Sequence, residues 1–194
     1  MLLDALRHSI NNIMKLIFLD RDGVIKKDLN TYVSQHEDFE FLPSVLEALK
    51  DLTHHDYEIV IISNQAGIAK GIYTQGELSE VNGKMIRQIE EAGAKISRVE
   101  YCLHEDSDNC DCRKPKTGLF KRVLDDKDIN INEVYFVGDK ESDVIAGNNI
   151  GCKTILVLCG KTKEADISSW QIKPDYIKKD LKEAVSWIIN EESK

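Results

Sequence analysis

The chain has 194 residues, of which 42% are apolar and 31% are charged, and its 34 acidic and 26 basic side chains give a net charge of −8. These values are typical of a globular chain long enough to bury one sizeable core. No apolar run approaches the ~18 residues that span a bilayer, and the first twelve residues lack the apolar core of a signal peptide. We therefore expect a cytoplasmic protein without a membrane partner. Because an acidic surface repels nucleic acid, no nucleic-acid partner is expected, and an anionic ligand needs a local basic patch.

Apolar runs rich in Val and Ile alternate along the chain with segments of helical periodicity. The predicted strands are Lys15–Leu19, Ile59–Ile62, Arg98–Cys102, Val134–Val137 and Thr154–Leu158. The predicted helices lie within residues 45–52, 78–89, 119–124 and 181–189. This alternation predicts an α/β fold, a Rossmann-like parallel sheet with helices on both faces. Residues 14–194 are predicted to form one domain, and residues 1–13 a flexible N-terminal extension.

The first polar motif directly follows the first predicted strand. Asp20 and Asp22 are two residues apart, and Gly23 permits a sharp turn close to a phosphate. One carboxylate can attack phosphorus while the other donates a proton to the leaving oxygen and later activates water. Two close carboxylates favour a divalent cation with oxygen ligands, which indicates Mg²⁺. The alternative interpretation is a solvated acidic turn.

Three further motifs follow at the ends of later strands, where ligands bind in a parallel sheet. Ser63 and its neighbouring amides can hold phosphoryl oxygens, or Ser63 can cap the next helix. Lys114, preceded by Arg113, supplies the positive charge that phosphoryl transfer needs, or forms a charged surface turn. Asp139 can complete the Mg²⁺ site with Asp20 and Asp22. Asp143 either supports that site or is an acid that stabilises a helix start.

A polar segment between residues 102 and 113 carries closely spaced soft ligands. They are Cys102, His104, Cys110 and Cys112. Four such ligands suit a tetrahedral structural Zn²⁺, which would fix the loop that carries Arg113 and Lys114. A catalytic zinc is disfavoured because four protein ligands leave no open position. The alternative is a set of free thiols beside a surface histidine.

Taken together, these residues resemble the haloacid dehalogenase (HAD) superfamily of aspartyl-phosphate phosphatases over residues 18–157. Phe18-Leu19-Asp20-Arg21-Asp22-Gly23 is similar to the nucleophile motif of the family, and Ser63, Lys114 and Gly138-Asp139-Lys140 match its other motifs. The resemblance implies a HAD-like fold with a minimal cap and a zinc-stabilised loop. It also implies that short loops select the substrate, a small phosphorylated metabolite. We expect the protein to be a monomer. The residues expected to contact the substrate are Asn64, Gln65, Lys70 and Arg113.

The spacing of the cysteine loop resembles a subgroup that contains D-glycero-D-manno-heptose 1,7-bisphosphate phosphatases and histidinol phosphatases. The segment 63–71, Ser-Asn-Gln-Ala-Gly-Ile-Ala-Lys-Gly, favours the heptose enzymes and their C7 phosphate as substrate. Lys70, where the family has Arg, and the short cysteine loop leave histidinol phosphate as the alternative. A polynucleotide 3′-phosphatase is disfavoured by the net charge of −8. A catalytically inactive binding protein is disfavoured by the intact motifs, and a dinucleotide-binding protein by the absence of a G-x-G-x-x-G motif after a strand.

Overall fold

A computed structural model describes residues 15–28, 39–125 and 127–192. The strands are β1 (Lys15–Leu19), β2 (Tyr57–Asn64), β3 (Arg98–Cys102), β4 (Tyr135–Gly138), β5 (Lys153–Val157) and β6 (Tyr176–Lys178). The α-helices are α1 (Val45–His54), α2 (Gln75–Glu91), α3 (Gly118–Leu124), α4 (Glu141–Ile150), α5 (Glu164–Ile167) and α6 (Leu181–Glu192). Two 3-10 turns cover Asp106–Asp108 and Ile131–Glu133.

The six strands form one parallel sheet in the order β3-β2-β1-β4-β5-β6. The chain runs outward from β1 through β2 to β3, then returns to place β4 on the other side of β1. Strand order therefore reverses between β1 and β4, and the carboxyl ends of these two strands border a crevice. In open parallel sheets this is where ligands bind.

The period of two in the strands divides the core into layers on the two faces of the sheet. Ile17 and Leu19 of β1 point to one face and pack in a cluster with residues of α1, α2 and α6. Leu16 and Phe18 point to the other face and pack with α3, where the Phe18 and Phe120 ring centroids lie 5.0 Å apart. Each strand of the centre is thus buried on both sides, which explains its uninterrupted apolar sequence.

The predicted α/β architecture is confirmed, including all five predicted strands. The sequence analysis did not identify α4, α5 or β6. Helix α4 contains Gly147 and two asparagines and has no continuous apolar stripe, whereas α5 and β6 span only four and three residues. Such short elements carry too few residues for a periodic signal. The predicted extension, residues 1–13, lies outside the described residues.

The connection that follows β2 lies at the carboxyl edge of the sheet. Residues 65–74 join β2 to α2, which begins with a capping box between Thr74 and Glu77. The described part of the chain contains no separate cap domain. Across the same residues, no helix combines the length and the hydropathy that a membrane span requires.

Candidate active site

A buried ion cluster lies at the carboxyl ends of β1 and β4. Asp20 follows β1, and its backbone N–H donates to the Val137 carbonyl of β4. Lys114 Nζ lies 2.6 Å from Asp20 Oδ1 and 2.7 Å from Asp143 Oδ1, and it also donates to the Ile62 carbonyl at 2.9 Å. All three charged side chains are buried. The structure thus brings Asp20 and Lys114 together as the sequence predicted, with Lys114 saturated by three oxygen acceptors.

Asp139 completes a group of three carboxylates. Oxygens of Asp20, Asp139 and Asp143 all lie within 4.8 Å of one another. Burial raises the pKa of Asp139 to about 7 and of Asp20 to about 6; for Asp20 the Lys114 charge opposes this rise. Asp139 Oδ1 is buried and has no hydrogen-bond donor among the described residues, and Lys140 Nζ lies 3.7 Å from it. A buried oxygen without a donor beside other carboxylates fits a divalent cation with oxygen ligands.

Two glycines leave the space that the Asp139 carboxylate occupies. A Cβ on Gly23 would lie 2.3 Å from Asp139 Oδ2, and a Cβ on Gly160 would lie 2.2 Å from the same atom. Gly23 also has a positive φ of 94°, which favours glycine. Gly23 was identified from the sequence, whereas Gly160 was missed. Its only sequence signal is its place just after β5, at the same edge of the sheet.

Asp143 contacts both the start of α4 and Lys114. As the third residue of α4, it accepts backbone N–H groups of Asp139 and Lys140 with Oδ2, at 3.2 and 3.1 Å. Its other oxygen pairs with Lys114. Asp143 therefore stabilises the helix start and also holds Lys114 beside Asp20.

Asp22 lies apart from that carboxylate group. Its carboxylate pairs with Arg21 at 3.0 Å and with Lys26 at 3.0 Å, and both cations are buried. Burial alone would raise the pKa of Asp22, but the two cations outweigh burial and hold the pKa well below its usual range. The structure thus places the Asp22 side chain as an ionised group next to Ser63 Oγ, at 3.4 Å, rather than among the candidate metal ligands.

The last residue of β2 and the residue after it contact other parts of the site. Asn64 exchanges two hydrogen bonds with the backbone of Lys114, donating to its carbonyl at 3.1 Å and accepting from its N–H at 3.0 Å. Gln65 donates to Asp22 Oδ2 at 2.7 Å and to Ser63 Oγ at 2.8 Å. Asn64 and Gln65 thus hold catalytic candidates in place. Their predicted substrate contacts stay predictions.

Arg113 and Lys70 lie farther out, on the surface loops. Arg113 Nε donates to Asp106 Oδ1 at 2.5 Å, and its Nη1 donates to the His104 carbonyl at 3.3 Å. Lys70 is exposed in the turn before α2. In this conformation Arg113 ties its own loop together.

Cys102, His104, Cys110 and Cys112 converge as a compact group. Their Sγ–Sγ distances are 3.1 to 3.6 Å, and His104 Nδ1 lies 3.3 Å from Cys112 Sγ and 3.7 Å from Cys102 Sγ. Ligands at about 2.3 Å from a tetrahedral Zn²⁺ are separated by about 3.8 Å, so the group fits zinc with small outward shifts. The three cysteines of this group are free thiols. This matches the predicted zinc-stabilised loop.

The comparisons with known proteins agree with this geometry. A family model described as HAD-hydrolase-like matches residues 111–184. The D-glycero-beta-D-manno-heptose-1,7-bisphosphate 7-phosphatase of Neisseria meningitidis is 37% identical over 151 residues, 78% of this chain and 81% of that protein. The protein of the same name from Helicobacter pylori is 36% identical over 175 residues, 90% of this chain and 97% of that protein.

A solved structure extends the comparison to the whole fold. The D,D-heptose 1,7-bisphosphate phosphatase from B. bronchiseptica, complexed with magnesium and phosphate, has a TM-score of 0.86 at 30% identity, covering 92% of this chain and 99% of that chain. The fold, the site and these relatives together define a phosphoric monoester hydrolase, and the chain belongs to the HAD-like hydrolase family. These relatives are named as heptose bisphosphate phosphatases, one of the two kinds of enzyme that the sequence resembles.

Proposed function

We propose that this chain is a magnesium-dependent phosphatase that acts through an aspartyl-phosphate on Asp20. The observation that carries the proposal is the Asp20–Lys114 pair at 2.6 Å, buried at the point where strand order reverses. One Asp20 oxygen is held by Lys114, which leaves the other to attack phosphorus. Lys114 then balances the charge of the transferring phosphoryl group.

The proposed magnesium ligands are Asp20 and Asp139, with Asp143 as support. Mg²⁺, when bound, neutralises the carboxylates and the phosphoryl oxygens. The shape of the site, with glycines 23 and 160 against Asp139, holds that carboxylate in one place. The relative from B. bronchiseptica is complexed with magnesium and phosphate, which supports the assignment. The Asp22 carboxylate faces Arg21 and Lys26. We therefore propose that Asp22 reaches the metal only through its backbone, or after its side chain has moved.

Asp22 is proposed as the general acid and base. In the structure its ion pairs keep it ionised, the form that activates water for hydrolysis of the aspartyl-phosphate. Proton donation to the leaving oxygen needs the protonated form. A phosphoryl dianion bound nearby raises the pKa of a carboxylate and draws Arg21 and Lys26 toward itself, and both effects favour protonation of Asp22.

We propose the C7 phosphate of D-glycero-D-manno-heptose 1,7-bisphosphate as the substrate, because two relatives at 36–37% identity carry that activity in their names. Ser63 would hold a phosphoryl oxygen, and Arg113 and Lys70 at the crevice edge would contact the unreacting part of the sugar phosphate. Histidinol phosphate remains the alternative. The single domain 14–194, the structural zinc and the monomeric state are parts of the same proposal.

Two measurements test the proposal. The value of kcat/KM across heptose 1,7-bisphosphate, histidinol phosphate and a 3′-phosphorylated oligonucleotide identifies the substrate class, and we expect the heptose bisphosphate to be highest. Trapping with beryllofluoride and Mg²⁺ should place the adduct on Asp20, and Asp20→Asn should abolish turnover while the fold is retained. An adduct on another residue, or near-normal turnover by Asp20→Asn, would contradict the mechanism.

A further inference from the structure

A buried chain of hydrogen bonds leads from Tyr73 to Asp22. The Tyr73 hydroxyl donates to Gln65 Oε1 at 2.8 Å, and Gln65 Nε2 donates to Asp22 Oδ2 at 2.7 Å and to Ser63 Oγ at 2.8 Å. Tyr73, Gln65 and Ser63 are each less than 8% exposed. The chain therefore lies beneath the site rather than on the surface that a substrate meets.

The hydroxyl of Tyr73 decides which way the Gln65 amide faces. An amide has one acceptor end and one donor end, and a donor at Oε1 fixes the donor end toward Asp22. In the opposite orientation the amide oxygen would face the Asp22 carboxylate and repel it. Both N–H groups of the Gln65 amide have an acceptor, Asp22 and Ser63, so this side chain has no donor left for a substrate.

The backbone around Tyr73 keeps the ring in this position. A Cβ on Gly67 would lie 2.1 Å from Tyr73 Cε1, so the ring packs directly against the Gly67 backbone. Tyr73 precedes the capping-box residue Thr74 of α2. The hydroxyl is thus supported by a helix start and a glycine contact, as a precisely placed group must be.

We propose that Gln65 and Tyr73 are positioning residues that hold the Asp22 carboxylate for proton transfer, and that Gln65 does not bind the substrate. This inference rests on the proposed role of Asp22. Arg21 bonds the same Asp22 oxygen, Oδ2, at 3.0 Å, and Lys26 holds Oδ1 at 3.0 Å. The neutral amide adds a directional hydrogen bond to Oδ2 and keeps this oxygen next to Ser63.

The test compares two substrates of the intact enzyme in variants of the chain. One is the alkyl phosphate that the wild type hydrolyses best, whose leaving oxygen needs a proton, and the other is p-nitrophenyl phosphate, whose leaving group does not. For Tyr73→Phe we expect kcat/KM on the alkyl phosphate to fall about 3- to 10-fold, the effect of one lost hydrogen bond, and to fall less than about 2-fold on p-nitrophenyl phosphate. Gln65→Glu, which sets a second carboxylate against Asp22, should give a larger loss with the same selectivity.

The control and the double variant separate positioning from a structural effect. Tyr135→Phe removes a hydroxyl at the end of β4 that lies away from the site. Among the described residues, the hydrogen-bond partner of this hydroxyl is Lys153, at 3.5 Å. This control should leave kcat/KM unchanged on both substrates. In an Asp22→Asn background, Tyr73→Phe should cost no further activity, because the chain acts through Asp22. Equal losses on both substrates, a raised KM for the alkyl phosphate alone, or unchanged kinetics in Tyr73→Phe would each overturn the inference. The proposed function would fail separately, through a wild type that shows no beryllofluoride adduct on Asp20.

Discussion

Replacement of Lys114 by methionine tests the centre of the site. The change keeps the length of the side chain and removes the ammonium that lies 2.6 Å from Asp20 and 2.7 Å from Asp143. Two buried carboxylates then face each other without the cation that bridges them. Breaking a buried ion pair by removing one partner costs about 3–5 kcal/mol. For a chain of this length this corresponds to a fall in Tm of about 6–20 °C at pH 8.

The loss of stability in Lys114→Met should become smaller as the pH falls. Burial raises the pKa of Asp20 to about 6 in the wild type, and Lys114 opposes that rise. Without Lys114 the folded-state pKa of Asp20 is higher still, so the folded variant takes up a proton that the unfolded chain does not bind. A raised carboxyl pKa stabilises the folded state below that pKa, and the stabilisation is lost as the pH rises through it. The destabilisation of Lys114→Met should therefore be smaller at pH 5.5 than at pH 8.

Thermal unfolding measures both the loss of Tm at pH 8 and its pH dependence. The buffer should contain no magnesium, and it should contain no chelator because a chelator would also remove zinc. Lys121→Ala, an exposed lysine in α3 just beyond the same loop, is the matched control and should shift Tm by less than about 2 °C. Turnover by Lys114→Met should be lost on every substrate. A variant with wild-type Tm at pH 8, or one whose Tm deficit grows toward pH 5.5, would refute the electrostatic reasoning.

Three further outcomes are expected. Protein purified without chelator should contain about one zinc per chain, and Cys110→Ser should lower metal content, Tm and kcat together; full activity in a zinc-free protein would contradict this. Arg113→Ala should lower kcat/KM on a sugar bisphosphate about 10- to 150-fold but on its monophosphate far less, since a charge-assisted fork is worth ~1.5–3 kcal/mol; an equal loss in Asp106→Ala would show that Arg113 acts only through the loop. Gly160→Ala, whose Cβ would lie 2.2 Å from Asp139 Oδ2, should raise the Mg²⁺ concentration needed for half-maximal activity, whereas Gly76→Ala, with only Thr74 Oγ1 nearby at 3.7 Å, should not.

The sequence predicts the centre of the sheet well because those strands are buried on both faces. Leu16–Leu19 and Ile59–Ile62 have no polar interruption, a pattern that only a covered parallel strand requires. The edge of the sheet gives a weaker signal. Strand β6 has three residues and is partly exposed. Its Tyr176 packs against Trp187 of α6, and three residues are too few to show an alternating apolar pattern. Its existence depends on pairing with β5, which no local pattern encodes.

The candidate site divides in the same way between residue identity and residue role. Asp20, Lys114 and Asp139 were selected because carboxylates and a lysine recur after successive strands, on the side of a parallel sheet where ligands bind. The roles of Asn64 and Gln65 could not be predicted, because an amide at the end of a strand suits a contact with the substrate and a contact with the protein equally well. Only the position of Lys114, fifty residues later in the chain, reveals that Asn64 holds its backbone.

The distribution of charge in the site explains how an acidic chain can accept an anionic substrate. Each site carboxylate lies beside a cation: the acids are Asp20, Asp22, Asp28, Asp139 and Asp143, and the bases are Arg21, Lys26, Lys114, Lys140 and Lys161. The five acids and five bases of the site therefore nearly cancel, although the chain carries a net charge of −8. One bound divalent cation turns the local charge positive, so a phosphoryl dianion is attracted only when the metal is present. Binding of inorganic phosphate should accordingly require Mg²⁺, and equal affinity without Mg²⁺ would show that the lysines alone form the anion site.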